Sequence, residues 1–149
     1  MLTSVGMSGA QGGLGYAVFA VAMTVGRLNG DRIVQRFGGR RVMLLGGLAA
    51  AAGFLIVVLA PSAWLALPGF ALIGCGASNI VPVLFSAAGN QRDMPAGLAV
   101  SAISTIGYAG ILVGPGMIGF VAHAVGLQWA FAALGCGMLM VATQARRTA

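Results

Sequence analysis

The stretch that decides the fold is GRLNGDRIVQRFGGRR, Gly26 to Arg41. It holds five of the chain's eight arginines and one of its two acids, and the sequence on either side is nearly free of charge. A basic run of this kind binds nucleic acid, coats a soluble helix or holds a membrane protein in place. What flanks it decides among these.

Hydrophobic residues make up 59% of the 149-residue chain and charged residues 7%, with no Lys and no Glu. A soluble domain carries about 25% charged residues. Ten charges cannot solvate a globule of this size, so the composition selects lipid as the solvent. The 25 glycines sit mostly inside apolar runs, which suits membrane helices in close contact through small residues rather than flexible linkers. A net charge of +6 would suggest nucleic acid in a soluble protein. Here the basic run abuts apolar segments and its one aromatic is Phe37, so no nucleic-acid partner is expected. Cys75 and Cys136 lie in apolar segments far from any His or acid, which reads as small buried side chains rather than a disulfide or a metal pair. No cofactor or metal is expected. No basic residue precedes Arg27, so the charged start of a cleaved signal peptide is missing and the first apolar segment is expected to stay.

About 20 apolar residues are needed to cross the hydrocarbon core. By that measure the chain divides into five spans, at about 12–28, 42–60, 65–88, 95–122 and 128–143, the last short. Irregular backbone cannot face lipid, so these spans must be helices. The turns between them are APSAW at 60–64, GNQRDMP at 89–95 and HAVGLQ at 123–128. The expected fold is therefore an all-α polytopic membrane protein in a single membrane domain over residues 1–149.

Five hairpinned spans put Arg27, Arg32, Arg36, Arg40, Arg41, Arg92, Arg146 and Arg147 on one side and no arginine on the other. The positive-inside rule then gives an outside N-terminus and an inside C-terminus. Trp64 and Trp129 fall at the outer boundary, where amphipathic rings prefer to sit.

Within the charged loop, Gly26, Gly30, Asp31, Arg32, Gly38, Arg40 and Arg41 resemble the signature loop of the major facilitator superfamily. That pattern reads Gly-x-x-x-Asp-Arg-x-Gly-Arg-Arg and lies between the second and third helices, with a weaker copy between the eighth and ninth. This sequence departs from the short form by four extra residues between Asp31 and Gly38, about one helical turn. Without the family, the loop is an inside anchor in which Asp31 pairs with arginines or favours a helix N-terminus. The resemblance adds a gating role. A second resemblance is GYAGILVGPGMIGF, Gly107 to Phe120, which is similar to the Gly-Pro motif of the fifth and eleventh facilitator helices. Gly110 and Gly114 share a face, with Gly119 further along, and permit close helix contact. Pro115 removes a backbone donor and bends the helix. The run GPGMIG matches a dinucleotide-site expression, but no strand-to-helix turn precedes it and no acid follows, so that reading is rejected.

The order of NIVPVLFSAAGN, GYAGILVGPGMIGF and GLQWAFAALG is similar to helices ten to twelve of bacterial facilitators. The resemblance thus implies a partial facilitator fold, helices eight to twelve of a secondary transporter in a bacterial inner membrane. Alternating access rocks one half against the other around a shared site, so the remaining transporter helices are expected as partners, beside the lipid bilayer and an unknown small solute. No span carries an acid, a histidine or an internal arginine, and Arg27 and His123 sit at span ends. The polar candidates are Ser78, Asn79 and Ser86 in the third span, on the helix that lines the family's cavity. In the fourth span they are Ser101, Ser104, Thr105 and Tyr108. Asn79 is the first candidate for substrate contact, against an interhelical hydrogen bond of about 0.6–2 kcal/mol. The hydroxyls can instead bond back to their own helix. Two other classes stand beside this one. The first is a small non-transporting membrane protein assembling through Gly-rich faces. The second is an enzyme, which lacks any nucleophile–base pair or metal cluster.

Overall fold

The computed structural model describes residues 9–144, with side chains from Gly13 onward. Its elements are α1 (Gly9–Leu28), α2 (Gly30–Phe37), α3 (Gly39–Leu59), α4 (Ala63–Ala77), α5 (Ile80–Asn90), α6 (Ala96–Val125) and α7 (Leu127–Gln144), with no strand among the described residues. Four helical stretches are long and apolar enough to cross a membrane: Gly39–Leu59, Ala63–Asn90, Ala96–Val125 and Leu127–Gln144. Gly13–Leu28 adds a shorter apolar helix. The chain is an all-α polytopic membrane protein. At about 1.5 Å per residue, the 21 residues of α3 match a hydrocarbon core about 30 Å thick.

The chain forms two compact units. One contains α1 to α4 and α7 from Phe131, and the other contains α5 and α6. In the first, α4 lies against both α1 and α3. The α3–α4 contact is made through glycine. A Cβ on Gly46 would stand 2.5 Å from the Gly76 carbonyl oxygen, and one on Gly53 would stand 2.7 Å from that of Gly69. Both pairs are seven residues apart on each helix and run in opposite senses, so the helices are antiparallel, with Ala50 fully buried between the pairs. Against α1 the order runs the same way: Gly15 meets Phe70, Gly74 meets Phe19 and Ala22, and Gly26 meets Ser78. Thus α1 and α4 are parallel and end together. Trp64 lies at the start of α4, the end away from α2, and is exposed. On α7, Ala142 meets Gly47, and Phe131 meets Phe54 with ring centres 6.0 Å apart.

Two features differ from the expected spans. The charged loop is itself mostly helix: α2 has two turns and is separated from α3 by Gly38, whose φ of 80° suits a residue without a Cβ. The third span is also broken at Ser78 and Asn79. Pro82 has no N–H to donate to the Ser78 carbonyl four residues back, which removes a bond a continuous helix would need there. In the second unit, α6 runs unbroken through Pro115 for 30 residues, about 45 Å. The run GPGMIG lies inside it, so no strand-to-helix turn exists there. The α6–α7 turn is made by Gly126, at φ 100°.

Candidate functional site

Ser78 and Asn79 are the buried polar side chains among the described residues, at 0% and 6% exposure. They sit where α4 ends, opposite the C-terminal end of α1. The last four carbonyls of any helix lack intrahelical partners, and side-chain amides supply some of them here. Asn79 donates from Nδ2 to the Gly26 carbonyl at 3.2 Å and to Ser78 Oγ at 3.1 Å. Asn29 donates from Nδ2 to the Val25 carbonyl at 2.9 Å. Ser78 in turn donates to the Cys75 carbonyl at 2.6 Å. Every buried polar side-chain atom among the described residues has a partner.

These bonds need the two signature glycines. A Cβ on Gly26 would fall on Ser78 Oγ, and one on Gly30 would fall on Asn79 Oδ1. The loop motif and the third-span polar pair, read separately in the sequence, are therefore parts of one contact. Sequence reasoning named all four residues but had no signal for their meeting, because they lie about 50 positions apart.

From Gly30, α2 has one apolar face and one polar face. At about 100° per residue, Ile33, Val34 and Phe37 fall on the side of buried Gly30, whereas Asp31, Arg32, Gln35 and Arg36 fall opposite and are exposed. Asp31 lies in the first turn of α2, where the helix dipole favours a carboxylate. Arg36 stacks on Phe37, 5.7 Å from the ring centre, within cation–π range. Arg40 and Arg41 open α3 and are exposed. Arg146 and Arg147 lie outside the described residues.

The other candidates lie in the second unit. Ser86 is exposed and its hydroxyl is 3.5 Å from Asn90 Nδ2. The break at Ser78 and Asn79 interrupts the eight-residue register linking Ser78 to Ser86. Tyr108 is exposed on α6. Ser101, Ser104 and Thr105 each bond back to the carbonyl four residues earlier, at 2.7, 2.9 and 2.9 Å, which satisfies them within their own helix. Around Gly110, Gly114 and Gly119 there is open space, with no atom within 4 Å of an added Cβ; Gly110 and Gly114 share a side of α6, and Gly119 lies about 140° round from Gly114. Arg27 and His123 sit in the last turns of α1 and α6, and the Arg27 guanidinium suits the helix dipole there. Cys75 and Cys136 are exposed rather than buried. Cys75 Sγ lies 3.8 Å from the Ala22 carbonyl oxygen.

A bundle of apolar helices with a glycine-seated basic loop helix between two of them defines a polytopic membrane protein. The family profile of the Major Facilitator Superfamily matches residues 1–146, and the chain belongs to that superfamily. It is 56% identical over 141 residues to an uncharacterised MFS-type transporter of Yersinia pestis, covering 95% of this chain and 37% of that protein. It is 40% identical over 116 residues to the membrane protein MosC of Rhizobium meliloti, covering 78% and 28%. An uncharacterised transporter of Sinorhizobium fredii is 33% identical over 141 residues, covering 95% and 37%. The chain thus spans about a third of the length of these relatives. No solved structure matches it.

Proposed function

We propose that the chain supplies helices eight to twelve of a secondary transporter that moves a small solute across a bacterial inner membrane by alternating access. In this reading the remaining helices complete the machine. The N-terminus faces outside and the C-terminus inside. The observation that carries it is the shared end of α1 and α4. Both helices stop at α2, and Arg32, Arg36, Arg40 and Arg41 gather there, which supports an inside-facing loop. Transport sites form between repeats near the midplane, so a cavity would need the outward faces that α6 presents. Ser78 and Asn79 then act by holding the inside end of α1, while Ser86 and Tyr108 are the polar side chains offered to cargo.

The genomic DNA around Met1 tests the proposal. In-frame coding for about seven further apolar spans upstream supports it. A promoter and start signal directly at Met1, with no such coding even across a frameshift, overturns it in favour of a small non-transporting membrane protein.

A further inference from the structure

Beneath the apolar face of α2 lies a groove of about 200 Å³, lined by Ile33, Phe37, Val42, Leu45, Gly46, Cys75, Gly76 and Asn79. Its walls come from α2, α3 and α4, and nearly all of them are apolar. Two arginines flank it. Arg36 stands over Phe37, and Arg41 is one turn before Leu45 on the same side of α3. Asp31, the only acid in this segment, is about 140° around α2 from Arg36.

The groove continues into a track. From Arg41 along α3, Leu45, Leu48, Ala52, Leu55 and Leu59 follow at spacings of four and three, and all are exposed. They form a single stripe about 27 Å long at 1.5 Å per residue, close to the hydrocarbon thickness of about 30 Å. An arginine head on an apolar stripe of membrane length has the charge and shape complement of one molecule, an acidic phospholipid.

We propose that this groove and stripe bind an anionic phospholipid, with its phosphate on Arg36 and Arg41 and an acyl chain running past Phe37 and Leu45 down α3. Arg36 is well suited to the headgroup, since a guanidinium offers paired donors to phosphate oxygens and stacks on a ring at the same time. Surface attraction worth about 1 kcal/mol per arginine corresponds to about fivefold in affinity for each. The inference requires only that the chain lies in a membrane, and it stands or falls apart from the transport proposal.

The test places a reporter in the groove of the full chain. Phe37→Trp keeps a ring under Arg36, and Trp64→Phe with Trp129→Phe removes the background. The protein is reconstituted in phosphatidylcholine vesicles containing a rising fraction of either phosphatidylglycerol or phosphatidylcholine with brominated acyl chains. Brominated phosphatidylglycerol should quench the tryptophan at a mole fraction at least fivefold lower than brominated phosphatidylcholine. Arg36→Ala with Arg41→Ala should abolish the difference, whereas Arg36→Lys with Arg41→Lys should keep it. Millimolar inorganic phosphate should leave it unchanged. Equal quenching by the two lipids in the parent overturns the proposal. So does a preference that survives the double alanine variant, or one that free phosphate removes. Equal quenching would also be the outcome if the groove were filled by another protein helix.

Discussion

Asn79 reaches back 53 positions to donate its side-chain amide to the Gly26 carbonyl at 3.2 Å, while its oxygen occupies the space that a Cβ on Gly30 would need. One side chain thus holds the end of α1 and the start of α2. The loop's glycines are spaces cut for that amide.

Replacing Asn79 with Ala should remove the bond and leave the Gly26 carbonyl without this partner. An interhelical bond in a membrane protein contributes about 0.6–2 kcal/mol, so unfolding of the purified chain in mixed micelles should shift by that amount. Asn79→Asp should lose as much, because an ionised carboxylate cannot donate. Unchanged stability in both variants would show that the contact carries no weight.

The glycines divide into two groups with opposite expected responses. Gly53→Ala places a methyl 2.7 Å from the Gly69 carbonyl oxygen and 2.8 Å from the Ile73 nitrogen. Overpacking of this kind costs about 1–3 kcal/mol. Gly107→Ala, with open space around it, should be neutral or gain up to about 1 kcal/mol from helix propensity. Thermal unfolding of the two single variants separates them, and the same sign in both would contradict the α3–α4 packing.

Pro82 is the cause assigned to the break between α4 and α5. Pro82→Ala restores a donor for the Ser78 carbonyl. Amide exchange at residues 80–84 should slow by up to about tenfold in that variant, since one hydrogen bond contributes up to about 1.5 kcal/mol. Exchange that stays as fast as in the parent would assign the break to the Asn79 contact instead.

Orientation is open to a direct chemical check. In a background lacking Cys75 and Cys136, a cysteine at Ser62 or Leu127 should react with an impermeant thiol reagent added outside intact cells. One at Gly38 should react only after the membrane is opened. The reverse pattern would invert the proposed topology.

The helical spans were legible because hydrophobic length is a local property that needs no partner. The charged loop was legible as an anchor from its arginines, but its helix was not. Ile33, Val34 and Phe37 gain a face only once Gly30 is seated against Asn79. The break at Asn79 was hidden for a similar reason: Pro82 was visible, but where the freed backbone would yield depends on α1. Asn79 was singled out as a buried amide in lipid that must find partners, and it is buried with its amide bonded to the Gly26 carbonyl. Which partner it found lay beyond the sequence, since Gly26 comes near it only after α1 and α4 pack in parallel. The outward glycine face of α6 shows the converse, a pattern plain in the sequence whose contacts are not made within its own unit.

The paired glycines of α3 and α4 carry a consequence for inheritance. Every single-base change in a glycine codon that puts another amino acid in its place adds at least one carbon. At Gly46, Gly53, Gly69 and Gly76 that carbon would meet atoms of the neighbouring helix. These four codons are therefore confined by the hairpin alone, whatever the chain does. Descendants can drift at other positions while this pair of helices stays recognisable, so ancestry stays easier to read from such a chain than occupation.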